Sequence, residues 1–459
     1  MTRVDEFTKK YPSLPRDFIV KWELKQLGIQ DTEDLDKVSS WRSPEGSYQM
    51  KFDDYTLQEL VERRPSRLKD GLILRPENFY MKSSVRAELW TSKKSPYQIK
   101  EISDGKVALC EGEEAVEKDL HFLPKFRTGE IPKTSKGIPI SRLVSSARIC
   151  FFFQPVHHCE YFNTGDQCRF CQYNTSEDDG RSLGLTRPVT EHPDDIVEAI
   201  KIRGSEVRLV EGRSDMGGFK DSENEGRIFL DLYGKITNAL PYKPYLAVHT
   251  QAMSRKNMQR LKESGLDGYN LHMECWDRDI FPIVVPGKAK HASYDGWMEA
   301  LDDALDIYGV GNVSIRTIGG LTCIPENGHQ TWQEARDSHM AHNREMMKKG
   351  AFPVFGSLSL PPGSVFGSNP ANRAKIPPTE YYLEVAIDHH AAMKEFGLYD
   401  TLNRFLWCGM DCGHSIYAGE LGVLELAGNW GKWMSTVVPD KANWILKFLE
   451  SIESPAKVE

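Results

Sequence analysis

Two hydrophobic periods alternate along residues 145–400. Apolar runs of strand length occur at residues 147–153, 207–210, 245–249, 269–275, 313–318 and 352–359. Between and after them lie segments whose apolar residues recur every three to four positions, at 193–203, 227–240, 254–264, 293–308, 331–349 and 379–397. Strands that alternate with amphipathic helices predict a parallel sheet with crossover helices.

The helix starts support this division. Ser254, Ser293, Thr331 and Thr379 stand at four of them, and serine and threonine oxygens accept hydrogen bonds from free N–H groups at helix starts. Right-handed crossovers would wrap six such units into a partial barrel, with functional loops at the carboxyl ends of the strands. We therefore predict an α/β chain built on a partial (β/α)6 TIM-like barrel.

Both flanks differ from this pattern. Residues 1–140 predict an N-terminal α+β extension, with helices at 15–27 and 55–62, strands at 72–74, 85–90, 97–102 and 106–110, and a polar linker at 127–136. Residues 141–400 form the predicted barrel. Residues 401–459 predict a short C-terminal helical extension, with a closing helix at 443–452.

A cysteine loop follows the first predicted strand. Cys159, Cys168 and Cys171 are separated by eight and then two residues. Three thiols so close in sequence are poor disulfide partners but suitable ligands for an iron–sulfur cluster or for zinc. Structural zinc would need a fourth ligand, for which His157 or His158 is available.

This loop resembles the cluster loop of the radical S-adenosylmethionine (radical SAM) superfamily, whose commonest spacing is three and then two residues. The aromatic residue before the last cysteine, Phe170, also fits that pattern. The resemblance implies that the three cysteines hold a [4Fe-4S] cluster whose fourth iron is chelated by S-adenosylmethionine, with Phe170 near the adenine. It further implies reductive cleavage to a 5'-deoxyadenosyl radical, which takes hydrogen from a small-molecule or cofactor-precursor substrate. The electron would come from a donor such as flavodoxin or ferredoxin.

Two further strand ends carry candidate cofactor-binding residues. Glu211 and Gly212 follow the second predicted strand, where the superfamily commonly has a Gly-Gly-Glu-like segment, although a plain turn explains them equally. Glu274 shares one face of the fourth strand with Asn270 and His272. Buried polar side chains need a partner or a ligand, so we interpret Glu274 as a ribose-binding residue, with a buried salt bridge as the alternative.

The fifth strand places Arg316 on one face with Ser314, where a guanidinium would pair with the methionine carboxylate or with substrate. Residues 286–288 are a candidate rim of the site, and residues 361–364 resemble a loop near adenine or substrate. Near the C-terminus, Cys408, Cys412 and His414 could hold a second metal or cluster, although two reduced cysteines in a glycine-rich turn are the simpler interpretation.

Composition limits the function classes. The chain has 459 residues, 40% hydrophobic and 27% charged, with a net charge of -8, and its sequence pI is about 6.0. An acidic balance gives no support to a nucleic-acid partner. No apolar run approaches the roughly 20 residues of a membrane span, and the charged N-terminus does not predict a signal peptide. Nine cysteines, an odd number, favour a reducing cytoplasm.

Glu160 and Asp166 lie beside the cysteines, and negative charge there would disfavour adding an electron to a cluster. The alternative function is a non-catalytic metal-binding regulatory or scaffold protein that holds zinc or an iron–sulfur cluster. One zinc per chain would support this alternative, whereas iron and sulfide in roughly fours would support the enzyme.

Overall fold

The computed structural model describes residues 1–38, 41–42, 62, 68–69, 72–74, 78–81, 85–103, 106–120, 122, 132–147, 150–174, 178, 188–206, 211–214, 218–240, 245–401 and 415–416. Three predicted elements fall elsewhere: the helix at 55–62 apart from its last residue, the strand at 207–210 and the helix at 443–452.

The N-terminal region is an α+β extension. Its helices are α1 (Arg3–Lys10), α2 (Arg16–Leu27) and α3 (Glu33–Lys37), and its strands are β1 (Trp41–Arg42), β2 (Leu68–Lys69), β3 (Leu72–Leu74), β4 (Asn78–Tyr80), β5 (Arg86–Glu88), β6 (Tyr97–Ser103), β7 (Lys106–Glu111) and β8 (Glu114–Glu117). The strands pair antiparallel in three small sheets. The predicted helix at 15–27 is confirmed, with Pro15 before its first turn and Gly28 as its C-cap at φ +70°.

The described centre of the chain is an eight-stranded sheet in chain order. Its strands are β9 (Val144–Ala147), β10 (Cys150–Phe153), β11 (Glu211–Ser214), β12 (Tyr245–Thr250), β13 (Gly268–Glu274), β14 (Val313–Gly319), β15 (Phe352–Ser357) and β16 (Ser415–Ile416). Strands β10 to β15 are parallel to their neighbours, and β9 and β16 add antiparallel edges.

Helices follow the parallel strands in turn. They are α4 (Ile140–Leu143) before the sheet, then α5 (Pro193–Glu206), α6 (Ser222–Ala239), α7 (Arg255–Glu263), α8 (Phe281–Val284), α9 (Pro286–His291), α10 (Tyr294–Tyr308), α11 (Trp332–Lys349) and α12 (Thr379–Glu395). Six strand–helix units in sequential order are the predicted α/β fold, a partial (β/α)6 barrel. In the part of the chain that the structure describes, no helix is long and apolar enough to span a bilayer.

Most predicted helix caps are confirmed. Ser254, Ser293 and Thr331 accept hydrogen bonds from the first turns of α7, α10 and α11. Thr379 is instead the first residue of α12, after Pro378, and its hydroxyl donates to the buried Glu23 at 2.5 Å.

The extension packs on the last two units of the barrel. The Trp22 ring of α2 stacks on Tyr382 of α12, with centroids 4.9 Å apart, and lies 6.3 Å from the ring of Phe355 on β15. Residues of α2 are therefore buried on most sides of the helix. The domain boundaries at 140 and 400 remain predictions.

Two strand predictions need correction. The run 147–153 is not one strand, because Ala147 is the last residue of β9, which pairs antiparallel with β10 at Cys150–Phe153. Glu211 and Gly212 do not follow the second strand but lie inside β11, where Gly212 is paired with Phe151 and Leu246. The glutamate and glycine weakened the strand signal at these positions.

Candidate active site

The cysteine loop lies at the carboxyl end of β10, as predicted. Cys159 leads into a 3-10 helix at Glu160–Thr164, which Gly165 ends with a left-handed conformation at φ +70°. A tight turn joins the other two cysteines, because the Cys171 N–H donates to the Cys168 carbonyl at 2.9 Å. The loop is thus folded, and its eight-residue gap is largely taken up by the helical turn.

The three cysteines of the loop affect one another's thiol pKa values. Burial raises the pKa of Cys168 to about 12, and Cys159 contributes to that rise. Burial likewise raises the pKa of Cys171 well above the usual thiol range, and repulsion from both other cysteines adds to it. Three thiolates grouped in this way are costly without a bound cation.

Backbone groups offset part of this cost. The Gly218 N–H donates to the Cys159 sulfur at 3.3 Å, and the Tyr173 N–H donates to the Cys171 sulfur at 3.4 Å. Such bonds stabilise negative charge on sulfur. Three thiol donors with aligned N–H groups fit an iron–sulfur cluster with one iron left for another ligand.

The zinc interpretation gains no support from the neighbouring histidines. His157 lies 3.2 Å from Glu191 and 3.5 Å from the Tyr173 hydroxyl, and His158 lies 3.1 Å from the Asn174 amide. Among the described residues, no three histidine, cysteine or acidic side chains converge on a point where one ion would sit. Ligands of a multi-iron cluster bind different irons and need no such convergence.

A tyrosine anchors the loop. The Tyr161 hydroxyl lies 2.9 Å from the Gln251 amide oxygen and 3.1 Å from the Phe219 carbonyl. Its ring fills a slot between two glycines, because a Cβ on Gly218 or on Gly287 would come within 2.5 Å of ring carbons. The first half of the loop is therefore fixed to the segments that follow β11 and α8.

Behind this anchor lies a buried carboxyl group. Glu225 of α6 accepts hydrogen bonds from the Thr250 hydroxyl and from the Gln251 amide, the latter at 2.9 Å. Burial raises the pKa of Glu225 to about 7, and the two hydrogen bonds oppose that rise. The chain Tyr161–Gln251–Glu225 thus links the cysteine loop to the outer helix layer.

Strand β13 ends at the cysteine loop with an unusual backbone. Glu274 has φ +74°, and in the described part of the chain no other non-glycine residue has positive φ. The pairing of β13 with β14 is shifted between His272 and Glu274, so the alternation predicted through Glu274 is interrupted. Sparsely populated backbone conformations of this kind are concentrated at functional sites.

A lysine meets this strand end. Lys288 of α9 donates to the Glu274 carboxylate at 2.9 Å and to the His272 carbonyl. Glu274 also contributes to the raised pKa values of Cys168 and Cys171, so it lies near the cysteines. Residues 286–288 lie beside the cysteine loop, as the sequence indicated. Glu274 forms a partly buried salt bridge with Lys288, and its role in ribose binding stays a prediction.

The concave face of the sheet is polar. His249, Asn270 and Ser314 are buried and aligned on neighbouring strands, and His272 and Arg316 are paired in the same way nearer the strand ends. The opposite face carries apolar residues of the same strands, which pack against the helices. The predicted shared face of Ser314 and Arg316 is confirmed.

The structure describes some of the remaining candidate residues and not others. Phe170 is partly buried against the main core. The loop at residues 361–364 does contact the cysteine loop, because the Gly363 N–H donates to Gln172 at 3.2 Å and the nearby Phe366 N–H donates to the Arg169 carbonyl at 2.8 Å. Cys408, Cys412 and His414 lie outside the described residues, and their role remains a prediction.

The two acidic neighbours of the cysteines, Glu160 and Asp166, each have a hydrogen-bond partner. Glu160 accepts from the Lys220 N–H at 2.8 Å, and Asp166 pairs with Lys290 at 2.6 Å, both in exposed contacts. The Lys290 ammonium lowers the pKa of Asp166. The sequence placed Lys288 in the candidate rim but gave no sign that its charge is buried and acts on the cysteines.

Comparison with known proteins adds an independent observation. No family model matches the chain. A curated relative, bacteriochlorophyllide c C-7(1)-hydroxylase from Chlorobaculum limnaeum, is 23% identical over 173 residues, which are 34% of this chain and 41% of that enzyme.

Two solved structures are similar to part of the chain. HydG, a maturase of the [FeFe]-hydrogenase, has a TM-score of 0.40 at 17% identity, over 53% of this chain and 49% of its own. Methylornithine synthase (PylB) has a TM-score of 0.39 at 14% identity, over 56% of this chain and 69% of its own. The chain covers less than half of the hydroxylase and of HydG.

Proposed function

We propose that the chain is a radical SAM enzyme acting on a small-molecule or cofactor-precursor substrate. Cys159, Cys168 and Cys171 would hold a [4Fe-4S] cluster and leave one iron for the amino and carboxylate groups of S-adenosylmethionine. The bound cluster would supply the electron that cleaves this cosubstrate and generates the radical that takes hydrogen from the substrate. The grouping of three thiols at the carboxyl ends of parallel strands carries the proposal.

Side chains around the cysteines have proposed binding tasks. Glu274, held by Lys288 at the end of β13, is suited to accept hydrogen bonds from ribose hydroxyls. Arg316, beside His272, offers a guanidinium for a carboxylate. Phe170 is proposed to pack near the adenine. Glu211 and Gly212 are proposed to approach the cosubstrate from within β11.

The polar concave face favours a polar substrate. Asn270 and Ser314 are fully buried, and their side-chain polar atoms have no hydrogen-bond partner among the described residues. Unpaired buried polar groups are costly, and such groups beside a reaction site are suited to orient a substrate. A carrier such as flavodoxin or ferredoxin would deliver the electron. A location in the cytoplasm and the absence of a nucleic-acid partner remain predictions.

Anaerobic reconstitution tests this function. The full chain is loaded with iron and sulfide, reduced with dithionite and incubated with S-adenosylmethionine, and 5'-deoxyadenosine is measured. We expect 5'-deoxyadenosine from the wild-type chain and none from Cys168→Ala. A cluster-loaded protein that forms none would contradict the proposal. Iron and sulfide near four each per chain support it, whereas one zinc per chain would support the scaffold alternative.

A further inference from the structure

Lys288 is a buried cation that is held by the cysteine loop through its backbone segment and by the end of β13 through its side chain. Two backbone hydrogen bonds attach its segment to the cysteine loop, from Arg169 N–H to the Val284 carbonyl at 2.9 Å and from Gly287 N–H to the Asp166 carbonyl at 2.8 Å. Its ammonium group reaches the end of β13, where it contacts Glu274 at 2.9 Å. The Lys288 side chain is 10% exposed. The cation therefore cannot move away into solvent without breaking these contacts.

The charge of Lys288 acts on the sulfurs. Burial by itself lowers the pKa of Lys288, but Glu274, Cys168 and Cys159 outweigh it and raise that pKa. The lysine in turn opposes the rise in pKa of Cys159 and Cys168 that burial causes. Lys288 is thus charged and near enough to interact with the cluster ligands.

Lys290, two residues further along α9, provides a contrast. Its side chain is 69% exposed and pairs with Asp166 at the surface. Water and salt screen an exposed pair of this kind, so its effect on the cysteines is weak. The two lysines share a helix and a charge but differ in burial.

We propose that Lys288 is a positioning residue that makes the cluster on Cys159, Cys168 and Cys171 easier to reduce. This inference rests on the proposed function, since it requires that cluster. A fixed cation in a poorly solvated site favours the state with one more electron, because Coulomb interactions there are weakly screened. The negative charge of Glu274 makes the cluster harder to reduce, so the Lys288–Glu274 pair together sets the net charge beside the cluster.

A redox titration followed by electron paramagnetic resonance tests this without S-adenosylmethionine. At a fixed applied potential, we expect the ratio of reduced to oxidised cluster to fall about tenfold in Lys288→Gln, which is 59 mV for one electron. Glu274→Gln should raise the ratio, and the double variant should return close to wild type because its net local charge is unchanged. Lys288→Arg keeps the charge and should keep the ratio within about twofold.

Lys290→Gln is the matched control and should leave the ratio unchanged. Iron and sulfide content and circular dichroism establish that each variant is folded and loaded. An unchanged ratio in a loaded Lys288→Gln overturns the role of Lys288 and leaves the proposed function standing. A wild-type chain that assembles no cluster overturns both. Equal shifts in the two lysine variants would also refute the inference, because burial would then not matter.

Discussion

Substitution of Gly218 by alanine tests how the cysteine loop is held. A Cβ at this position would lie 2.2 Å and 2.4 Å from two ring carbons of Tyr161 and 3.4 Å from the Cys159 sulfur. Reaching ordinary contact at 3.4 Å would need a movement of about 1.2 Å, the difference between 3.4 and 2.2 Å. The ring has little room, because its other edge lies against Gly287 and its hydroxyl is hydrogen-bonded.

The loop must therefore move, and Cys159 with it. Overpacking of this kind costs about 1–3 kcal/mol. We expect Gly218→Ala to lower the free energy of unfolding of the full chain by that amount, measured by anaerobic urea denaturation. We also expect less iron per chain after reconstitution, since the displaced sulfur is one of three proposed ligands.

Two further variants make this test specific. Gly234→Ala in helix α6 is the control, because a Cβ there meets none of the described atoms within 4 Å. Alanine should stabilise that helix by up to about 1 kcal/mol. In a Tyr161→Ala background the clash is gone, so Gly218→Ala should then cost little. Wild-type stability and iron content in Gly218→Ala would refute the described packing of the loop.

Three other predictions follow from the site. The Cys168→Ser variant should bind much less iron on reconstitution than the wild-type chain. The Cys110→Ser variant, which changes a buried cysteine of the extension, should bind as much iron as the wild type. Equal loss of iron in both variants would argue against the proposed ligands. Tyr161→Phe should cost about 1–3 kcal/mol in urea and speed iron loss to a chelator, whereas Tyr308→Phe, whose hydroxyl donates to the Met258 carbonyl at 2.8 Å, should cost stability alone. Because the folded pKa of Glu225 is raised from 4.5 to about 7, its contribution to stability is present below pH 4.5 and lost by about pH 7. Glu225→Gln should remove this dependence, up to about 3 kcal/mol, in urea titrations from pH 5 to 8; an unchanged slope would contradict the burial of this carboxyl.

The barrel could be predicted from sequence because its signals are local. Apolar periods and caps such as Ser254 and Thr331 depend on residues a few positions apart, and the structure has them. The cysteine loop was found for the same reason, since its ligands are neighbours in the chain. Strand β11 was misplaced because Glu211 and Gly212 are poor strand formers that the sheet nonetheless incorporates.

The rest of the site depends on contacts distant in sequence. Tyr161 gains its importance from Gly218 and Gln251, which are 57 and 90 positions away in the numbering. No local pattern distinguishes Lys288 from Lys290, although one is buried beside the thiols and the other is at the surface. The presence of Pro286 and Gly287 pointed to the right segment, but the chemistry of its lysine appeared only once the strand end was in place.

The helical turn at Glu160–Thr164 bears on how such chains can be recognised. It closes on itself, with the Asp166 N–H donating to the Tyr161 carbonyl at 2.9 Å, and its tyrosine occupies a slot formed by distant glycines. Extra residues in this turn increase the number of positions between Cys159 and Cys168, while both cysteines stay in the same folded loop. A sequence search that requires only three residues between the first two cysteines would miss proteins with such a turn. A structure search for an aromatic ring packed between two glycines, as Tyr161 is between Gly218 and Gly287, would find them.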